Sequence, residues 1–129
     1  MRPTAHPSAP APFVFHQGTA PLLISIPHGG VYVPPMLAER FGPEAREVPD
    51  TDWHLERLYA FAKDMGASIL AATHSRYVID LNRPPDGASL YPGQNVTGLC
   101  PVDTFDETPL YPRGDVPDDA EIAARREAI

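Results

Sequence analysis

Seventeen prolines in 129 residues decide where this chain can form regular structure. Proline fixes φ and donates no backbone hydrogen bond, so it ends strands and interrupts helices. Residues 1–12 hold Pro3, Pro7, Pro10 and Pro12 with small residues between them, a composition that predicts a disordered lead-in. The remainder, 13–129, has the length of one domain or part of one. Phe13-Val14-Phe15 predicts a short edge strand. The run from Pro21 to Pro27 predicts a short buried strand, because it is apolar, partly β-branched and bounded by breakers. Pro34-Pro35 can open a short helix through Arg40, since proline is tolerated in a first turn. Leu55, Leu58, Tyr59, Ala62 and Met65 then recur at helical spacing until Gly66, which predicts a helix from Asp52 to Met65. Ser68 to Thr73 reads as a strand. From Pro84 to Pro117 the chain is rich in Pro, Gly, Asp and Thr with little periodicity, the mark of a functional or disordered loop. Its Tyr91–Gly98 part carries amides and hydroxyls suited to a polar pocket. Asp118 to Ile129 reads as an unfinished helix with an acidic first turn. The order predicts an α/β fold, a mixed sheet with helices on its faces.

The segment Ser75-Arg76-Tyr77-Val78-Ile79-Asp80-Leu81-Asn82-Arg83-Pro84-Pro85 carries more chemistry than any other. Aromatic and β-branched Tyr77, Val78 and Ile79 predict a strand, which Pro84-Pro85 stops. Two arginines, an aspartate and an asparagine crowd into it. Burying such charges costs several kcal/mol unless each is paired. Two guanidinium forks beside an amide suit a small ligand that carries carboxylates. A structural Arg–Asp pair closing the sheet is the competing reading.

Upstream, the Pro21–Pro27 strand delivers His28-Gly29-Gly30 at its carboxyl end, where ligands bind in open α/β sheets. The glycines allow a sharp turn and a close approach by a ligand or metal. His28 is therefore either a satisfied structural histidine or a metal ligand. Pro49-Asp50-Thr51-Asp52-Trp53-His54 precedes the next helix, and Asp50 or Asp52 can cap it. One carboxylate suffices for capping, so the second is surplus. Carboxylate and imidazole are both good zinc ligands, and His28 with Asp52 would supply two of the three that a catalytic zinc needs. His54 and His74 are lesser candidates for supporting roles, while His6 and His16 are expected to face solvent.

A net charge of −7 argues against nucleic acid and acidic membranes as partners. An anionic small molecule remains compatible, because Arg76 and Arg83 can make a local positive pocket. The single cysteine, Cys100, excludes an internal disulfide framework, and beside Pro101 it reads as a structural thiol rather than a nucleophile. No apolar run approaches the ~20 residues needed to span a bilayer. The amino terminus lacks a secretory pattern, so a cytoplasmic setting is expected, and Asn95-Val96-Thr97 carries no weight as a glycosylation site.

The motifs ISIPHGG, VPDTDWH, SRYVIDLNRPPDGASLYPGQNVTGLCP and PLYPRG, spread from Pro21 to the end, resemble the N-formylglutamate amidohydrolase family. The resemblance implies the three-layer phosphorylase/hydrolase-like fold of zinc carboxypeptidases, only partly present in this chain. It implies zinc as cofactor, with His28 as one ligand and Asp52 as another. By analogy with the Asp-x-Asn-Arg segment of aspartoacylase-like enzymes, Asn82 and Arg83 would grip a substrate carboxylate, with Asp80 beside them and Arg76 as the second arginine. The implied activity is hydrolysis of N-formyl-L-glutamate to formate and L-glutamate, in histidine degradation, with zinc polarising the formyl carbonyl. Family members are longer, and their distal half carries the expected third zinc ligand in an Asp-x-His-Ser-type segment that this sequence lacks. The chain thus reads as the amino-terminal part of one hydrolase domain. Its general base is expected elsewhere, and by itself it is expected to be catalytically incompetent. Two other functions compete: a metal-dependent hydrolase of another N-acyl amino acid or small peptide, and a non-catalytic half-domain. Oligomeric state is not legible.

Overall fold

The computed structural model describes residues 9–86 and 98–129. Among the described residues, three strands form one sheet: β1 (Phe13–His16), β2 (Leu23–Ile26) and β3 (Ser68–Ala72). β3 lies in the middle, parallel to β2 and antiparallel to β1. Ile69 stands opposite Ile24 on one side and His16 on the other. The sheet is mixed, and the fold is α/β.

Among the described residues, four helices accompany it: α1 (Pro35–Ala38), α2 (Pro43–Arg46), α3 (Glu56–Asp64) and α4 (Asp119–Ala128). Proline sits in the first turn of α1 and of α2, where its missing N–H leaves no helical bond unmade. The sequence predicted α1 but not the single turn of α2. α3 covers one sheet face, burying Ala62 with Ile26, Ile69 and Ala71, while Leu55 and Tyr59 pack alongside. Leu58 and Met65, expected on the inner face, are exposed.

By the two-residue period of a strand, the opposite sheet face carries Phe13, Phe15 and Leu23, which are 52%, 52% and 60% exposed. Pro21–Pro27 is therefore not a buried strand. Only Ile26 within β2 is buried, because α3 covers one face alone.

A second core forms outside the sheet. Leu37, Phe41, Ala45 and Val48 meet Tyr77, Val78, Leu110 and Tyr111. Phe41 meets Tyr77 and Tyr111 edge-on, with centroids 6.2 and 5.4 Å away, a favoured aromatic geometry.

The strand expected at Tyr77–Ile79 is absent: residues 76–78 form a turn. Ser75 causes it, because its carbonyl accepts from Val78 N at 2.9 Å and its hydroxyl from Tyr77 N at 3.2 Å. A short hydroxyl side chain competing for local amides in this way favours turns over sheet ladders. Tyr77 and Val78 then enter one core and Ile79 another, with Leu99 and Cys100. Period-two reasoning about Asp80 and Asn82 lapses with the strand. Residues 84–86 and 98–117 contain no helix or strand, as expected for a long loop. Residues 91–97 of the predicted polar pocket and residues 1–8 of the predicted lead-in lie outside the described residues.

Candidate metal and carboxylate site

His28 follows the carboxyl end of β2, as its sequence position predicts. Gly30 lets the chain pass the end of β3 at close quarters: a Cβ there would stand 2.4 Å from the His74 carbonyl oxygen. This glycine thus serves backbone-to-backbone approach rather than ligand access. The His28 ring is buried, and its Nε2 lies 2.6 Å from Oδ1 of Asp80. A carboxylate only accepts, so Nε2 carries a proton, and in the neutral ring Nδ1 then keeps its lone pair. That nitrogen points towards Asp52, whose Oδ2 lies 4.0 Å away.

Asp80 is fully buried, and both oxygens are engaged. Oδ1 accepts from His28 and, at 2.9 Å, from Asn82 N, while Oδ2 accepts from Arg76 Nη2 at 3.4 Å. Asp80 therefore orients its neighbours and does not face a ligand. Arg76 is also buried. Its guanidinium donates to Asp80 and to the Asp50 carbonyl and lies over the Phe105 ring, 4.5 Å from the centroid. Of the two readings of Arg76, this matches the structural Arg–Asp pair rather than a second fork held out to a substrate. Arg83 is placed differently. Its side chain is partly exposed, donates to the Asn82 carbonyl at 3.0 Å and reaches within 4.0 Å of Asp80. Asn82 is exposed.

Neither Asp50 nor Asp52 caps α3, whose N-cap is Leu55 with no side-chain hydrogen bond. The helix starts late because Asp52 N is bound to the His28 carbonyl at 2.9 Å and His54 is left-handed at φ 64°. Asp50 has a structural task instead. Its Oδ2 accepts the Tyr77 hydroxyl at 2.6 Å and the Phe105 amide at 2.9 Å. Burial, aided by this Asp50 contact, pushes the Tyr77 hydroxyl well above its usual pKa. Asp52 remains exposed at the mouth of a 240 Å³ cavity that Gly29, Trp53, His54 and Tyr59 also line. His54 thus stands beside Asp52 but not on a helix face. His74 is buried with Tyr32 edge-on to it, and desolvation lowers its pKa. Burial raises the pKa of the Cys100 thiol, which suits a structural thiol rather than a nucleophile.

Chemically, the arrangement offers one imidazole lone pair and one carboxylate side by side, the imidazole fixed by a buried aspartate. Among the described residues, no group of three or more His, Cys, Asp or Glu is placed to hold a metal.

A sequence profile of N-formylglutamate amidohydrolases matches residues 20–129. The chain belongs to this family. It is 50% identical over 107 residues to an N-formylglutamate deformylase of Pseudomonas putida, covering 83% of this chain and 40% of that protein. A deformylase of Pseudomonas aeruginosa is 52% identical over 103 residues, covering 80% and 38%. The chain therefore spans about two-fifths of the length of these curated relatives. The crystal structure of N-formylglutamate amidohydrolase from Ralstonia eutropha JMP134 superposes with a TM-score of 0.68 at 28% identity, covering 92% of this chain and 46% of that one. A gene product of Agrobacterium tumefaciens, at 21% identity and a TM-score of 0.62, shares the fold. The candidate residues of this amidohydrolase family member, from His28 to Arg83, lie inside the matched span.

The His28–Asp80 contact is absent from the sequence-based expectations, although one signal pointed to it. An aspartate amid Tyr77, Val78 and Ile79 needs a buried partner, and a histidine at a strand end is a natural one. The role of Asp50 carried no comparable signal, since its partners Tyr77 and Phe105 are distant in sequence.

Proposed function

We propose that this chain carries the amino-terminal part of the site of a zinc-dependent N-formylglutamate deformylase, which hydrolyses N-formyl-L-glutamate to formate and L-glutamate. The observation that carries this reading is the fixed His28 ring, with Nδ1 facing Asp52 and Nε2 bound to Asp80. A carboxylate on the far nitrogen of a ligating histidine sets its tautomer and raises its basicity. The donor set therefore fits a zinc ion, with His28 Nδ1 and Asp52 as two of its ligands. Zinc held there would act as a Lewis acid towards the formyl carbonyl. The third ligand and the general base belong outside this chain.

Arg83 and Asn82 are the groups that meet the glutamate carboxylates, since Arg83 binds them with a planar fork and Asn82 with an amide. Arg76 acts indirectly, by neutralising the Asp80 that holds His28. The open sheet face bearing Phe13, Phe15 and Leu23 supports assigning the three-layer carboxypeptidase-like fold, with further layers supplied beyond this chain. A cytoplasmic setting belongs to the same reading, as does a small-molecule substrate.

A chimera tests this. Residues 20–129 replace the corresponding part of the Pseudomonas putida relative, and formate release and zinc content are measured. The chimera is expected to release formate from N-formyl-L-glutamate, whereas His28→Ala and Asp52→Ala lose both activity and zinc. Retained zinc in both variants would contradict the assignment.

A further inference from the structure

We propose that α4 is a clamp that positions the Asp80–Arg83 segment, with Arg125 and Arg126 as positioning residues. These neighbours in the last turn of α4 donate to two backbone carbonyls that bracket the segment. Arg125 Nη1 donates to Val78 O at 2.9 Å, and Arg126 Nη1 to Pro85 O at 2.7 Å. Consecutive helix residues point about 100° apart at 3.6 residues per turn. The helix can therefore hold both ends of a turn-and-loop segment that no strand pairing supports.

The Arg125 end is built for rigidity. Its guanidinium is buried, 8% exposed for the whole residue, and also donates to the Tyr111 hydroxyl at 3.2 Å and to Glu121. Glu121 is itself held by Arg40 at 2.8 Å, which keeps its carboxyl below the usual carboxylate range. Ile122 and Ile129 of the same helical region pack against the cluster containing Ile79. Between the two anchors, Asp80 N donates to Leu99 O at 2.7 Å, and Asn82 N and Arg83 N are bound back to Asp80 at 2.9 and 3.2 Å. The clamp thus fixes the one stretch in which Asp80 faces His28 while Asn82 and Arg83 stay accessible. Charge-assisted hydrogen bonds to carbonyls are stronger than neutral ones, which suits a segment without regular structure. The functional consequence rests on Asn82 and Arg83 being the substrate contacts proposed above.

The test uses the chimera with the Pseudomonas putida relative, with amide hydrogen exchange at Asn82 and Arg83 and with N-formyl-L-glutamate binding followed at the same amides. Arg126 is exposed, so Arg126→Ala leaves the core intact. It is expected to speed exchange at Asn82 and Arg83 about fivefold, the scale of one lost hydrogen bond, with Ile69 and Ala71 unchanged. It should also weaken N-formyl-L-glutamate binding, and Arg126→Lys should restore much of both. Arg125→Lys, which keeps the charge in the buried site, is expected to loosen the same two amides. Unchanged exchange at Asn82 and Arg83 in Arg126→Ala would overturn the clamp. So would an increase shared equally with β3, the behaviour of a merely structural contact. Failure of the unsubstituted chimera to bind N-formyl-L-glutamate would overturn the substrate reading, and the exchange data would still decide the clamp.

Discussion

His28 and Asp80, 52 positions apart, are joined by a buried 2.6 Å contact between Nε2 and Oδ1. It links the end of β2 to the stretch after the turn that replaces the strand expected at Tyr77–Ile79, and it decides which imidazole nitrogen is available. Removing the charge while keeping the shape isolates that role. In the chimera with the Pseudomonas putida relative, Asp80→Asn is expected to weaken zinc affinity about 10- to 100-fold, the usual cost of losing such a support. Competition with a chelator of known affinity measures this. Unchanged affinity would show that Asp80 serves the fold alone.

Arg76 gives the opposite pattern. Its partner Asp80 has no solvent to fall back on, so Arg76→Ala leaves a buried carboxylate short of a counter-charge. A destabilisation of about 3–5 kcal/mol is expected by urea unfolding. If Arg76 were instead a substrate fork, stability would barely change and KM for N-formyl-L-glutamate would carry the effect.

Arg83 is expected to separate substrate binding from metal binding. Arg83→Lys keeps charge but loses the planar fork, and kcat/KM in the chimera should fall by the equivalent of about 1.5–3 kcal/mol. Arg83→Ala should lose more while zinc content holds. Loss of zinc in Arg83→Ala, or unaltered kinetics in Arg83→Lys, would make Arg83 structural.

These roles show how far the sequence reaches. β1, β2, β3 and α3 were legible because each is a short periodic or apolar run between breakers, and α4 because its first turn is acidic. The 76–78 turn was not, since Tyr77, Val78 and Ile79 have strand propensity and only the Ser75 hydroxyl and carbonyl, bonded locally, reverse it. His28 and Asp52 were legible as candidates from residue type and strand-end position. The division of labour between Arg76 and Arg83 was not, because it depends on burial: Arg76 is 7% exposed and held by Asp80 and Asp50. Spacing alone treats the two arginines alike.

His74 sets a pH dependence. Burial lowers its pKa in the folded chain below 6.5, so as pH falls the unfolded chain takes up a proton before the folded one does. Its contribution to stability is thus fully present above about pH 6.5 and is lost as pH falls through the lowered folded value. Between about pH 7 and about pH 5, His74→Gln is expected to flatten the decline in unfolding free energy, measured by urea at each pH. An identical slope in both proteins would mean that His74 titrates normally.

In the proposed site, Asp80 holds the His28 proton on Nε2 and leaves Nδ1 for a metal beside Asp52. Long-range ¹H–¹⁵N correlation spectra of the imidazole, recorded with and without zinc, test it most directly. Neutral His28 is expected as the Nε2–H tautomer, with zinc moving the Nδ1 resonance and the Asp52 carboxylate signal together. An Nδ1–H tautomer, or zinc that leaves His28 Nδ1 and Asp52 unmoved, would contradict it.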